Sequence, residues 1–249
     1  MNKVYLYDGK FSSLLALIQY LIELRITPKD IKVEEEYVPN LFDKTIYLNI
    51  ENKNEKIEYL KNNLSKRILF YVKYTFLSVN VNKEIIIYYF IINALVYKDN
   101  VIYRRNLNCV NSIIKISKYV SNEAHKLKGF LRFKKMQNDF YYAVIEPNNN
   151  ILGIIANHFK DRLKNECWII KDNKRNTYAL YDMYKVIFIN SEDIIKLNLD
   201  LCSDEETIQD LWKTFFKSVA IKERENLKCQ RNFMPKKYWN NIIEMEDKI

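Results

Sequence analysis

The stretch "FLRFKKMQNDFYYAVIE", residues 130–146, decides the fold class, because the spacing of apolar residues changes here from a helical period to alternation. Two β-prone segments flank the turn-forming residues 137–139, a pattern that predicts a β-hairpin. Further along, "CWIIKD", "TYALYD" and "KVIFIN" predict a three-stranded meander at 167–190. A small antiparallel sheet is therefore expected in the second half of the chain.

Before this stretch the apolar residues recur at helical spacing. They predict helices at 52–63, 65–79, 82–97 and 110–128. The last of these carries one apolar stripe, formed by Ile113, Ile116, Val120, Ala124 and Leu127. Gly129 is placed to end this helix at the C′ position.

The first 50 residues mix short elements. Two strands are predicted at 4–9 and 45–50, with a helix at 11–25 between them. The acidic segment from residue 30 onward is predicted to be an irregular loop around Pro39.

Two more helices follow the hairpin. One is predicted at 150–163, after the turn-forming "PNNN". Another begins at "SDEE", where Ser203 and Glu206 have the spacing of a capping box. Its predicted buried face consists of Ile208, Leu211, Trp212, Phe215, Val219 and Ala220.

The predicted fold class is α+β, with a helix-rich N-terminal half, a small antiparallel sheet with packed helices, and a helical C-terminus. Only three Gly among 249 residues favour helices over a barrel or sandwich with many tight turns. The length fits a single domain over 1–249. If the chain is subdivided, we expect a mainly helical part at 1–128 and an α+β part at 129–249.

The charge balance favours a polyanionic partner. The formal net charge is +9 and the sequence pI is about 9.1. Part of the lysine content follows the Asn, Ile, Lys and Tyr usage of AT-rich coding, so charge alone does not establish a partner. The apolar stretch 85–97 is shorter than the roughly 20 residues of a membrane span. We therefore expect a cytoplasmic protein that does not bind a membrane.

The same composition argues against several kinds of site. Four widely spaced Cys and two His favour reduced thiols over a disulfide framework or a zinc site. No sequence motif for a known cofactor or catalytic nucleophile occurs, and we expect neither a cofactor nor a metal.

Weak catalytic candidates remain if the fold brings them into one cleft. They are His125, His158, Glu146, Asp172 and Asp182. The simpler interpretations are a boundary histidine, a core-edge histidine and solvated turn carboxylates, so the catalytic residues stay unknown.

Basic and aromatic residues concentrate near the C-terminus. A solvated basic helix would explain them, and so would a surface that neutralises phosphates and stacks unpaired bases. The residues predicted to bind nucleic acid are Lys126, Lys128, Arg132, Lys134, Lys213, Lys217, Arg224, Lys228, Arg231, Lys236, Lys237, Tyr238 and Trp239.

Several long segments carry a family resemblance, among them "VYLYDGKFSSLLALI" at 4–18, "EAHKLKGFLRF" at 123–133 and "QDLWKTFFKSVAIKERENLKCQRNFMPKKYW" at 209–239. The chain resembles a bacterial family of DNA metabolism or DNA repair proteins, a domain of unknown function. The resemblance implies a radical-SAM protein as partner, and some members are similar to a segment fused to uracil-DNA-glycosylase-like domains. It supplies no catalytic residues. Where the family pattern has His-Asp, this chain has Lys171-Asp172, which argues against an essential acid or base at position 171.

Three functions are compatible with these observations. The first is a DNA-binding accessory protein in DNA metabolism or repair that acts with a radical-SAM enzyme, with DNA favoured over RNA. The second is a DNA-processing enzyme with glycosylase- or nuclease-like activity. The third is a non-catalytic protein-interaction module whose basic face meets an acidic protein.

Overall fold

The computed structural model describes residues 3–40, 43–48, 50, 52–190 and 200–248. The chain forms two compact units, Met1–Ser121 and Asn122–Ile249. Both contain helices and strands, in agreement with the predicted α+β class.

The first unit contains a three-stranded parallel sheet. Its strands are β1 (Lys3–Tyr7), β2 (Asp30–Val33) and β3 (Lys44–Tyr47), in the order β2-β1-β3. Tyr5 on the central strand is paired with Ile31 on one side and Ile46 on the other. The strand β2 corrects the prediction of an irregular loop. It was missed because it has only four residues, of which Ile31 alone is buried, and an acidic segment follows it.

Among the described residues of this unit there are five α-helices, and their bounds agree closely with the predicted ones. They are α1 (Phe11–Glu23), α2 (Lys53–Asn63), α3 (Lys66–Phe76), α4 (Lys83–Tyr97) and α5 (Asn108–Phe130), the last of which continues into the second unit. The interior of the unit is apolar, and Leu17, Ile68, Ile91 and Ile113 are among its fully buried side chains.

One helical stretch, Lys83–Tyr103, is long and apolar enough to cross a membrane by length and composition. A core helix of a water-soluble protein passes the same test. Ile87, Phe90 and Ile91 are fully buried in the core of the first unit, so one face of this helix packs in the core, while 39 % of its most apolar window is buried in all.

The second unit contains a five-stranded sheet in the order β4-β5-β6-β7-β8. Its strands are β4 (Lys134–Lys135), β5 (Tyr141–Ile145), β6 (Trp168–Asp172), β7 (Thr177–Tyr181) and β8 (Val186–Asn190). The hairpin β4-β5 and the meander β6-β7-β8 are antiparallel, which confirms both predictions.

The central pair β5-β6 is parallel, which corrects the prediction of an antiparallel sheet. Helix α6 (Leu152–Arg162) connects the two strands, and parallel neighbours need such a crossover. The sequence showed the strands and the helix but not their pairing. The crossover places the loop 146–150 directly after β5 and before α6.

Two helix ends differ from prediction. Helix α5 continues through Gly129 to Phe130, so Gly129 is not the C′ residue; among the described glycines only Gly9 has a positive φ, 73°. Helix α7 (Glu205–Ser218) begins after Asp204, and no side chain caps it, so the predicted capping box of Ser203 and Glu206 does not form. Helix α8 (Leu227–Phe233) is followed by Pro235 and a short 3₁₀ helix, Lys236–Asn241.

The apolar face of α7 is exposed, which contradicts its predicted burial. The exposed residues are Ile208, Leu211, Trp212, Phe215, Val219 and Ala220, with Leu211 at 64 % and Phe215 at 55 % of full exposure. The pattern correctly predicted an amphipathic helix. It could not show that the described part of the chain leaves this face exposed, because amphipathicity does not specify what packs against a helix.

We therefore expect substitutions on this face to leave the stability unchanged. Leu211→Gln and Phe215→Gln should each change the free energy of unfolding by less than about 0.5 kcal/mol, since little apolar area is lost from the interior. Ile155→Ala, at a fully buried position on α6, should cost about 2–5 kcal/mol. Chemical denaturation measures all three. A loss above about 2 kcal/mol for Leu211→Gln would show that the face is covered in solution.

Candidate nucleic-acid interface

An ion pair in the turn between β6 and β7, formed by Asp172 and Arg175, holds the loop 146–150 in place. Asp172 is completely buried and accepts hydrogen bonds from the backbone N–H of Lys174 (3.0 Å) and of Arg175 (3.3 Å). The Arg175 guanidinium lies 3.0 Å from the Asp172 carboxylate. It also donates to the carbonyl oxygens of Pro147, at 3.3 Å, and Asn148. Asp172 therefore acts through Arg175 to position the loop.

A second buried carboxylate, Glu123 on α5, holds the same loop. It accepts hydrogen bonds from the backbone N–H of Asn148 (3.0 Å) and Asn149 (2.9 Å), and from the Asn149 side chain (2.6 Å). Lys237 forms an ion pair with it at 3.1 Å, and the Tyr238 hydroxyl donates at 3.4 Å. Glu123 thus connects α5, the loop 146–150 and the 3₁₀ helix Lys236–Asn241.

The charge of Glu123 is stabilised by these donors. Burial by itself raises the pKa of the Glu123 carboxyl. The hydrogen bonds from the two backbone N–H groups, Lys237 and the Asn149 side chain lower the pKa by more, so that it lies below its ordinary value. The carboxylate is therefore ionised wherever the protein is folded near neutral pH.

The structure gives the three predicted catalytic carboxylates structural partners. Asp172 is paired with Arg175, and Glu146 accepts a hydrogen bond from the Asn173 side chain at 2.9 Å. Asp182 closes the β7-β8 turn by accepting from the backbone N–H groups of residues 185 (2.8 Å) and 184 (3.0 Å), which lower its pKa.

The two histidines lie on different helices. His125 is exposed on α5. His158 is half-buried on α6, with its ring 5.1 Å from that of Phe159. Burial, and then the charges of Lys128 and Arg162, lower the pKa of His158, so it is neutral at physiological pH. Within the described residues, no group of three or more His, Cys, Asp or Glu could hold a metal ion.

Two of the cations that were predicted to bind nucleic acid form ion pairs with carboxylates of the protein. Lys237 is paired with Glu123. Arg132 lies 2.6 Å from Glu244, which also accepts a hydrogen bond from the Trp212 indole at 3.1 Å. Burial raises the pKa of Glu244, but the hydrogen bonds from Arg132 and Trp212 outweigh it and the pKa is lowered. These two cations therefore stabilise the fold, and a phosphate would have to displace a carboxylate to reach them.

Tyr238 and Trp239 are buried, at 5 % and 3 % of full exposure, which corrects the expectation of exposed stacking rings. The Tyr238 ring packs 5.5 Å from that of Phe130, and the Trp239 indole donates to the Met234 carbonyl at 2.9 Å. The 3₁₀ helix Lys236–Asn241 directs both side chains towards the interior. No local sequence pattern predicts which way these side chains face.

Other predicted cations remain available to solvent. Arg224, Lys228 and Arg231 are exposed, and no described acidic side chain lies within 4 Å of them. We call these three residues the C-terminal basic surface. Lys228 and Arg231 are three residues apart on α8 and share one face, while Arg224 ends the preceding 3₁₀ helix.

The remaining predicted cations are distributed over several elements. Lys236 is exposed and lies 5.6 Å from the centre of the Trp239 ring. The others lie on α5, β4 and α7, namely Lys126, Lys128, Lys134, Lys213 and Lys217.

The buried carboxylate Glu123 and its partner Lys237 were not recognised as a pair from the sequence. They are 114 residues apart, and Glu123 lies 25 residues from Asn148. A buried acid on an otherwise apolar helix face was the one available signal, because such a group needs donors.

The sequence of residues 81–244 matches the family described as domain of unknown function DUF4130, over about two thirds of the chain. The chain belongs to the DUF4130 family. No curated protein matches it. The DUF4130 region contains the loop 146–150, the two carboxylates that hold it, Glu123 and Asp172, and the whole C-terminal basic surface.

Proposed function

We propose that this protein is a cytoplasmic DNA-binding accessory protein in DNA metabolism or repair. The observation that carries the proposal is the C-terminal basic surface, where three cations have no described acidic partner. An unpaired surface cation that meets a phosphate releases condensed counterions, and this release is the main source of backbone affinity. Cations already paired with carboxylates gain much less, so Arg132 and Lys237 are assigned to the fold.

The proposal includes a radical-SAM protein as the partner that performs the chemistry. Its support is the family resemblance, together with the structural use that the fold makes of Asp172, Glu146 and Asp182. A DNA-processing enzyme remains the alternative, and no group of side chains within the described ranges favours it. Copurification of the tagged full chain with a radical-SAM protein from the same cells tests the partnership, and separate elution of the two from a sizing column would contradict it.

The salt dependence of DNA binding tests the basic surface. Replacing Arg224, Lys228 and Arg231 together with Ala should weaken binding and lower the slope of log K against log salt by about 2–3, or about 0.9 per phosphate contact. The measurement is the fluorescence anisotropy of a labelled duplex across a salt series.

The matched control removes the same charge elsewhere. Lys61, Lys66 and Lys73 are exposed in the first unit, and their triple Ala variant should leave the slope unchanged. Equal slopes for both triple variants would show that net charge, and not this surface, binds DNA.

A protein-interaction module is the second candidate, and a specific observation favours it. The exposed apolar face of α7 is larger than a scatter of single residues, and contiguous apolar patches mark interaction sites. Both properties can coexist, since the basic surface and the α7 face use different residues. Absence of DNA binding at low salt would leave the interaction module as the function.

A further inference from the structure

A groove opens between the C-terminal end of α7 and α8. Its volume is about 320 Å³, within the range of about 300–1,000 Å³ that is usual for small-molecule sites. Its lining includes Phe216, Ala220, Asn226, Leu227 and Gln230, together with two side chains of opposite charge, Arg224 and Glu225. None of the interactions that hold the loop 146–150 involves these residues, so the groove is separate from the contacts of Glu123 and Asp172.

The chemistry of the groove combines a flat apolar wall with polar groups. Phe216 and Leu227 supply the apolar surface. The Asn226 side-chain oxygen accepts from the Cys229 N–H at 2.9 Å, which fixes the amide and leaves its N–H₂ group as a donor. Gln230 turns its N–H₂ group towards the Met245 sulfur at 3.8 Å, which leaves its oxygen as an acceptor. A planar ring with donors and acceptors on its edge fits such a lining.

The charge at the groove identifies the kind of molecule that carries this ring. Arg224 belongs both to the groove lining and to the C-terminal basic surface, and Lys228 and Arg231 lie on α8, which forms one wall. A strand whose phosphates contact these cations would bring a nucleotide to the mouth of the groove. A base that is not paired can turn away from its neighbours and stack on an aromatic side chain.

We propose that the groove between α7 and α8 binds one unpaired nucleobase of a DNA strand whose phosphates lie on the C-terminal basic surface. This inference rests on the proposed DNA-binding function and adds selectivity for DNA with an unpaired base. Phe216 supplies the stacking surface, and Arg224 holds the adjacent phosphate. The preference arises because a paired base stays in the duplex stack and leaves the groove unfilled.

Three labelled DNA probes separate the base from the backbone. The first is a fully paired duplex, the second has one extra unpaired nucleotide, and the third has an abasic analogue at the same bulge. The full-length protein should bind the second probe about tenfold more tightly than the third, because both probes share the bulged backbone and differ in the base.

Two variants test the groove from opposite directions. Phe216→Leu keeps an apolar side chain but removes the ring, and Ala220→Phe fills the space without removing a group. Each should reduce the difference between the second and third probes to less than about twofold. Thermal unfolding of both variants shows whether they are folded, and Ala220→Phe, at an exposed position, keeps the test valid if Phe216→Leu is unstable.

The outcomes distinguish this inference from the proposed function. Binding to all three probes with equal affinity would overturn the base-binding groove and leave DNA binding intact. A preference for the second probe that persists in Ala220→Phe would also overturn it, since the base would then lie elsewhere. Failure to bind any probe at low salt would overturn both proposals.

Discussion

Replacing Glu123 with Ala is expected to lower the free energy of unfolding by about 3 kcal/mol or more. The carboxylate is 3 % exposed and has five donors, so its removal leaves two backbone N–H groups and the Asn149 amide without a charged acceptor. Breaking a buried pair costs about 3–5 kcal/mol. The lower end applies here, because the Lys237 side chain keeps 41 % of its exposure and can be hydrated. Urea denaturation at pH 7 measures the change.

Glu123→Gln separates the charge from the shape of the side chain, and its effect should depend on pH. The folded-state pKa of Glu123 is lowered, so its ionised form stabilises the fold above the unfolded-state pKa of about 4.3. This contribution is lost as the pH falls through the lower folded-state pKa. The difference in stability between wild type and Glu123→Gln should therefore be constant from pH 6 to 8 and shrink below about pH 4. A difference that grows in acid would contradict the assignment.

Asp172→Ala is expected to cost about 3–5 kcal/mol, since it leaves the Arg175 guanidinium in a largely buried site without its carboxylate. The loop 146–150 should also loosen, because Arg175 loses the anion that orients it towards the carbonyl oxygens of Pro147 and Asn148. Hydrogen exchange of the Asn148 and Asn149 amides measures this second effect.

Asp182→Ala is the matched control for Asp172→Ala. Both aspartates accept two backbone hydrogen bonds in a turn between neighbouring strands, but no described cation lies within 4 Å of the Asp182 carboxylate. The loss for Asp182→Ala should be clearly smaller than the loss for Asp172→Ala, because only ordinary turn hydrogen bonds are removed. Equal losses for the two variants would show that the ion pair with Arg175 contributes nothing to the loop.

The position and type of most elements could be predicted from local pattern. Helices α2 to α5 and the meander β6-β7-β8 lie close to their predicted bounds, because periodicity of 3.6 or 2 is a property of neighbouring residues. Strand β2 was missed, since four residues with one buried side chain carry too little signal. The turn of the hairpin β4-β5 also follows from neighbouring residues, and it was predicted.

The candidate site was predicted less well, because it depends on which surfaces meet. Arg224, Lys228 and Arg231 were recognised as bases, but nothing local distinguished them from Arg132 and Lys237, whose carboxylate partners lie more than 100 residues away along the chain. The groove lined by Phe216 and Gln230 joins two helices and has no sequence motif.

The sequence by itself determined the α+β class, the helices, the hairpin and the basic balance, since each follows from composition or from interactions between near neighbours. Tertiary structure alone decided the parallel pairing of β5 with β6, the burial of Tyr238 and Trp239, and the exposure of Leu211 and Phe215. The physical reason is that burial and ion pairing belong to pairs of surfaces. An apolar stripe or a charge determines what a surface can contact, and the path of the chain determines what it does contact.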